Sequence, residues 1–257
     1  MNKNKKIYYF LPVLSLLVFL IIWTILANKD GSMLPTPLAT LTRFFEIMQK
    51  PISKSTLPLH IWASLKRVLI AFSIAVISGI SLGIGLGWNK KFNAFAGPIF
   101  EILRPIPPIA WIPLVILWFG IGETSKIVIV FIGAFIPIVL NTFSGIRAID
   151  PLLINAGKVL GANKRQLLTD IALPTTIPAI LAGIKTALSS GWMCVVAAEM
   201  IVAKQGVGFL IVRGQESGDT ALIVVCMLAI GIVSAILSTI LTKMEGVLCP
   251  WKFSKTK

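Results

Sequence analysis

Long apolar stretches recur along almost all of this chain, at residues 7–27, 68–88, 106–119, 127–146, 177–198 and 220–241. Roughly 20 apolar residues in a helix cover ~30 Å of hydrocarbon, and a helix satisfies its backbone hydrogen bonds within the segment. The third stretch is short and broken by prolines. It is expected to begin inside the protein near Arg104, where neighbouring helices or water meet the lost hydrogen bonds. No remaining segment is large enough for a separate soluble unit. The expectation is an all-α integral membrane protein of about six transmembrane helices, one domain over residues 1–257.

Composition agrees: 56% of the 257 residues are hydrophobic and only 13% charged. A net charge of +14 raises the question of a nucleic-acid partner. The Lys and Arg residues flank apolar spans instead of forming a basic stripe, so the partner they suit is anionic lipid and no nucleic acid is implied. Most fall where an N-in, C-in topology puts the cytoplasm, including Lys252, Lys255 and Lys257, although Lys66 and Arg67 run against the bias. The basic N-terminus and its apolar run read as an uncleaved first span, too long for a secretory signal. Cys194, Cys226 and Cys249 are isolated and His60 is the sole histidine, so no metal site or histidine relay is expected.

Two local patterns stand out between the spans. Thr36 is placed to cap a helix whose apolar period runs through Leu38, Leu41, Phe44, Phe45 and Met48, expected on the outer surface as a lid, an interfacial anchor or a contact for an external partner. Gly79, Gly83 and Gly87 repeat every four residues, a stripe that lets helix backbones approach within one subunit or permits bending.

Residues 155–174 interrupt the apolar pattern with a polar segment divided by Gly161 and ended by Pro174. After Arg147-Ala-Ile-Asp150-Pro151, a short helix over 152–160 should break at Gly161, and a second over 164–172 should stop before Pro174. Small Ala156 and Gly157 leave room for another surface, while Leu160, Leu167, Leu168 and Ile171 offer apolar knobs. On spacing alone, a hairpin that caps the bundle fits equally well.

The same segment resembles the coupling-loop signature of ABC importer permeases, E-A-A-x3-G-x9-I-x-L-P, through Asn155, Ala156, Gly157, Gly161, Ile171, Leu173 and Pro174. Asn155 stands where that family usually has Glu, and Gly157 replaces the second Ala. If position 155 caps a helix, Asn is a good substitute; if the Glu pairs with the ATPase, coupling is altered. Further agreement lies in Arg104-Pro-Ile-Pro-Pro108, the run 113–126, Asn141-Thr-Phe-Ser-Gly-Ile-Arg147, Ala198-Glu199-Met200 and Gly206-Val-Gly-Phe-Leu210, which look like the nitrate, sulfonate and taurine branch. The likeness covers residues 34–243, with the coupling loop at 147–174.

This resemblance implies a type I ABC importer permease fold and a cytoplasmic coupling helix docked on an ATPase, with Leu167 among its residues. It further implies two permease copies, two ATPase subunits, an extracytoplasmic substrate-binding protein, and a multi-pass place in the cell membrane. No cofactor is bound directly, ATP and magnesium being handled by the partner ATPase; the chain has no Walker-type sequence of its own. The precedents are sulfonate, taurine, nitrate or bicarbonate, with vitamin precursors such as pyrimidines in neighbouring members.

Polar residues inside the spans are candidates for a path or gate. Lys185 either snorkels, hydrogen-bonds in the bundle or forms a cationic lining. Glu199 is expected at the outer mouth, as a solvated helix end or part of a gate. Asn141, Ser189 and Ser190 either face a water-filled path or bond between helices. An ion-coupled carrier would need more buried acids than Glu199, and a lipid-modifying enzyme would need a catalytic constellation that the residues do not offer.

Overall fold

The computed structural model describes residues 3–250; Lys252, Lys255 and Lys257 lie outside the described residues. The described residues are almost entirely helical. Helix α1 (Lys3–Ala27) leads to α2 (Pro37–Gln49), α3 (Leu57–Trp88), α4 (Lys90–Leu103), a tight turn at Pro108–Trp111 and α5 (Ile112–Phe119). Then come α6 (Glu123–Arg147), α7 (Pro151–Val159), α8 (Lys164–Gln166), α9 (Leu173–Val202), α10 (Val207–Ser217) and α11 (Thr220–Leu248). Five helices are long and apolar enough to cross a membrane, and the bent pair α4 and α5 makes up to a sixth span.

That pair corrects the expected third span. Helix α4 and the 108–119 segment meet at 88°, with Pro105 and Pro107 in the break and Pro108 opening the second arm. Proline supplies no N–H and steers the residue before it away from the helical region, so a Pro-rich run at this point turns the chain. Arg104 is on the surface, paired with Glu101 at 3.2 Å, and does not start a buried span.

Helix α3 begins eleven residues before the apolar run at 68–88 and takes in Lys66 and Arg67. Arg67 is buried and ion-paired, so the helix passes straight through it. At 1.5 Å per residue its 32 residues span ~48 Å, and its first turns project beyond ~30 Å of hydrocarbon.

The centre of the bundle is α6, packed against α3 on one side and α9 on the other. The glycine stripe of α3 lies on α6: a Cβ at Gly79, Gly83 or Gly87 would come within 2.9 Å of Ile138, 2.6 Å of Thr142 or 2.8 Å of Ile146. The stripe therefore serves packing inside one subunit, with the two helices running parallel. Gly145 and Gly183 do the same for the antiparallel α6–α9 contact, against Ala179 and Asn141. Small-residue contacts of this kind drive helix association where the surrounding lipid offers no hydrophobic gain. Substituting Gly83 by leucine should therefore cost about 1–3 kcal/mol through overpacking. A fall in the thermal unfolding midpoint in detergent checks this, and an unchanged midpoint would show the contact to be yielding.

Helix α2 starts as expected, with Thr36 Oγ accepting the Ala39 N–H at 3.2 Å. Its Leu38, Leu41, Phe45 and Met48 point away from the bundle, while Thr40 and Ile47 are buried. Ile47 joins Leu57, Leu210, Leu222 and Val225 in a core at this end of the molecule. Arg43 binds Asp219 at 2.8 Å, and Asp219 in turn caps α11 through the Leu222 N–H. Helix α1 stays outside the core, tied by the Trp23 indole N–H to the Pro35 carbonyl at 2.9 Å.

Candidate functional site

The two ends of the bundle carry different chemistry. At one end α7 and α8 form a hairpin. Asp150 accepts the Leu152 N–H at 2.8 Å and Pro151 opens the helix, a favourable start. Gly161, with φ +83°, closes it: its N–H reaches the Lys158 carbonyl and the Ala162 N–H reaches the Gly157 carbonyl, the two bonds of a Schellman cap. Asn163 and Gln166 then form a reciprocal capping box that starts α8.

Helix α8 does not stop before Pro174. It widens into a π-helical turn over Leu167–Ala172, in which the Leu173 N–H bonds the Leu168 carbonyl, and runs on into α9. A wider turn sets back the preceding carbonyls that a proline ring would strike, so Pro174 is accommodated in the first turn of α9. Hairpin and α9 are thus one continuous rod from Lys164 to Val202.

Several hairpin residues have other roles than their spacing suggested. Asn155 is exposed in the middle of α7 and caps nothing; Asp150 is the cap. Gly157 faces inward, where a Cβ would lie 2.4 Å from Ile171 and 2.8 Å from Leu167. Its smallness closes the two arms on each other and leaves no room for a partner. Leu167 is buried and Ile171 half-buried in that contact, with Leu173 and Pro174 half-buried at the junction to α9. The outward apolar surface consists of Leu152, Leu153, Val159 and Leu160, beside exposed Asn155 and Ala156. Val159 and Leu160, 88% and 87% exposed at the tip, are its sharpest feature. Val159 was legible as an apolar residue just before a breaking glycine.

At the other end sits a buried ion cluster. Arg67 of α3 pairs with Glu199 of α9 through one guanidinium nitrogen and with Glu123 of α6 through the other two. Glu199, far from being a solvated helix end, is fully buried and also accepts the Ser64 hydroxyl at 2.8 Å and the Gly208 N–H at 3.0 Å. Ser64 accepts the Val207 N–H and His60 Nδ1 accepts the Gly206 N–H, so the start of α10 is bolted onto α3 and α9. A carboxylate against the first N–H groups of a helix is favoured by the dipole. Gly206 and Gly208 are required here: Gly206 has φ +134° with the Glu199 carboxylate 2.3 Å from where its Cβ would be, and a Cβ on Gly208 would lie 2.5 Å from the Val196 carbonyl. Arg67 just before one apolar run and Glu199 just after another, opposite charges at the outer ends of two spans, were the sequence signal for this cluster.

The other polar residues of the spans are occupied locally. Lys185 pairs with Glu245 of α11, which neutralises the cationic lining it could have formed. Asn141 donates to the Pro137 carbonyl of its own helix at 2.8 Å. Ser189 is exposed on α9 and Ser190 half-buried, with the Ser190 backbone carbonyl close to Gly133 of α6.

Residues 75–251 match the family of binding-protein-dependent transport system inner membrane components. The chain belongs to that family. It is the transmembrane permease subunit of an ABC importer, which works with an ATPase and a substrate-binding protein. The permease is 34% identical to the taurine transport system permease protein TauC of Escherichia coli, over 94% of this chain and 89% of that protein. It is 33% identical to the nitrate import permease protein NrtB of Synechocystis sp., over 93% and 89%. It is 35% identical to the bicarbonate transport system permease protein CmpB of Synechococcus elongatus, over 88% and 84%. Among solved structures, inward facing forms of the MetNI methionine ABC transporter share its fold, with a TM-score of 0.64 at 20% identity over 73% of this chain and 93% of that one.

Proposed function

We propose that the permease imports a small oxyanion of the sulfonate, nitrate or bicarbonate type, as two copies joined to two ATPase subunits and served by an external binding protein. The solute class comes from the permeases named above, which carry taurine, nitrate and bicarbonate. The chain itself holds no nucleotide; ATP and magnesium belong to the ATPase. In this reading the hairpin faces the cytoplasm, and an N-in, C-in orientation puts both termini there too.

The observation that carries the coupling reading is the exposed Val159–Leu160 tip on a hairpin whose arms are closed by Gly157. An apolar knob of this kind fits a groove on a partner. Asn155, Ala156, Val159 and Leu160 make the contact. Gly157, Gly161, Leu167, Ile171, Leu173 and Pro174 give the hairpin its shape and its rigid join to α9. Closure of the ATPases moves the hairpin, and the continuous α8–α9 rod carries that displacement to Glu199 at the far end.

The test is ATP hydrolysis by the permease reconstituted with its ATPase and binding protein, with taurine, nitrate, bicarbonate and a pyrimidine offered in turn. Stimulation by one oxyanion is expected. Stimulation by the pyrimidine alone would overturn the solute class, and hydrolysis indifferent to every solute would overturn the coupling.

A further inference from the structure

The end of the bundle away from the hairpin holds a cleft of about 440 Å³, lined among others by Trp62, Lys66, Arg67, Glu123, Ile127 and Gln205. Its charged groups are arranged unequally. Arg67, in the lining, and Lys126, which is not part of the lining but bonds Glu123 from behind it, are 5% and 4% exposed, fixed in the bundle by α3 and α6. The carboxylate they hold, Glu123, has a side chain 62% exposed to the cleft. Arg67 grips it with two parallel bonds, Nε to Oε2 at 2.6 Å and Nη2 to Oε1 at 2.9 Å, and the Lys126 ammonium closes on Oε1.

A planar guanidinium fork with an ammonium beside it is how proteins hold a free carboxylate, sulfonate or phosphate. Glu123 is also the first residue of α6, where the helix dipole favours negative charge. The receptor is thus buried and rigid, while the group it binds hangs in the open on a flexible side chain. Lys66, exposed at the same cleft, has no ion-pair partner among the described residues. With Glu199 fully committed to Arg67, Ser64 and the start of α10, a departing Glu123 would leave Lys126 and Lys66 unbalanced around an open guanidinium face.

We propose that this cleft is a binding site for the transported oxyanion, and that Glu123 is an internal stand-in which the solute displaces on entry. This rests on the oxyanion reading above. Arg67 Nε and Nη2 and Lys126 Nζ would take the solute's oxygens, Lys66 and Gln205 would face its rim, and Glu123 would swing into water. Glu199 keeps its own bond to Arg67, so the fold holds while the exchange takes place. The exchange keeps the charge of the cleft constant, which lets an anion enter and leave without a deep trap.

The experiment is calorimetric titration of the permease–ATPase complex in detergent with ethanesulfonate, comparing wild type with Glu123→Ala and Glu123→Gln. Removing the competing carboxylate should tighten binding about tenfold in both variants, the worth of one charge-assisted contact. Retention of the ATPase by each variant confirms that it is folded, and Glu123→Gln preserves the side-chain volume if alanine does not. Equal affinity in all three proteins overturns the proposal. Loss of the ethanesulfonate heat on adding phosphatidylglycerol also overturns it, by assigning the cleft to a lipid headgroup. If the reconstituted importer responds to an oxyanion while the variants bind no tighter, the site is wrong and the oxyanion reading stands. If it responds only to a neutral solute, that reading falls and takes the transport role of this cleft with it.

Discussion

Replacing Glu199 by alanine should destabilise the permease by about 3–5 kcal/mol, the cost of removing one partner from a buried ion pair. Arg67 keeps Glu123 but loses the buried carboxylate that neutralises it, and the Ser64 hydroxyl and Gly208 N–H lose their acceptor. In a chain of this length the loss corresponds to a fall in the unfolding midpoint on the order of 10 °C. Glu199→Gln should do less damage, because an amide oxygen can still accept from Gly208 although the charge is gone. Gly206→Ala should resemble the alanine variant, since it forces a Cβ into the same carboxylate at a backbone angle that side chains rarely adopt. The measurement is thermal unfolding of the purified permease in detergent. A midpoint for Glu199→Ala within a degree or two of wild type would mean that the cluster does not hold α3, α9 and α10 together.

The second large effect is expected at the hairpin, where two substitutions separate docking from folding. Val159→Asp together with Leu160→Asp should leave the permease folded, because both side chains stand in the open. It should weaken retention of the ATPase by thirtyfold or more, which corresponds to about 2 kcal/mol for the loss of a central apolar anchor. Gly157→Leu should also uncouple transport, by a different route: the new side chain meets Ile171 and Leu167 and pries the arms apart. Co-purification with the ATPase and the unfolding midpoint distinguish the two. The double Asp variant should lose the partner at an unchanged midpoint, and Gly157→Leu should lose both. An ATPase retained at wild-type level by the double Asp variant would move the docking surface away from the tip.

These outcomes turn on which hairpin residues face outward, and that was only partly written in the segment. Gly161 as a breaker and Asp150-Pro151 as a start were legible because caps and left-handed turns depend on a few neighbouring residues. Gly157 looked like free space for a partner, and Asn155 looked like a cap. Both assignments needed the path of the chain after α8, which passes through a π-helical turn at Leu167–Ala172, ahead of Pro174, and brings Leu167 and Ile171 over α7. Proline at this point reads as a stop unless the turn before it is known to widen.

Read from its residues alone, this chain is already a membrane-spanning helical bundle, with most of its spans placed, a small-residue face on α3 and a capped hairpin interrupting the apolar pattern. Each of these follows from apolar length, helical periodicity or capping, properties that a segment carries without reference to distant residues. What the charges do emerges only in the folded bundle. Arg67 lies 56 residues from Glu123 and 132 from Glu199 in the chain, and Lys185 lies 60 from Glu245. A charge within an apolar span is tolerated only with a partner, and nothing local to Arg67 or Lys185 names that partner. Folding α3, α6, α9 and α11 together supplies it.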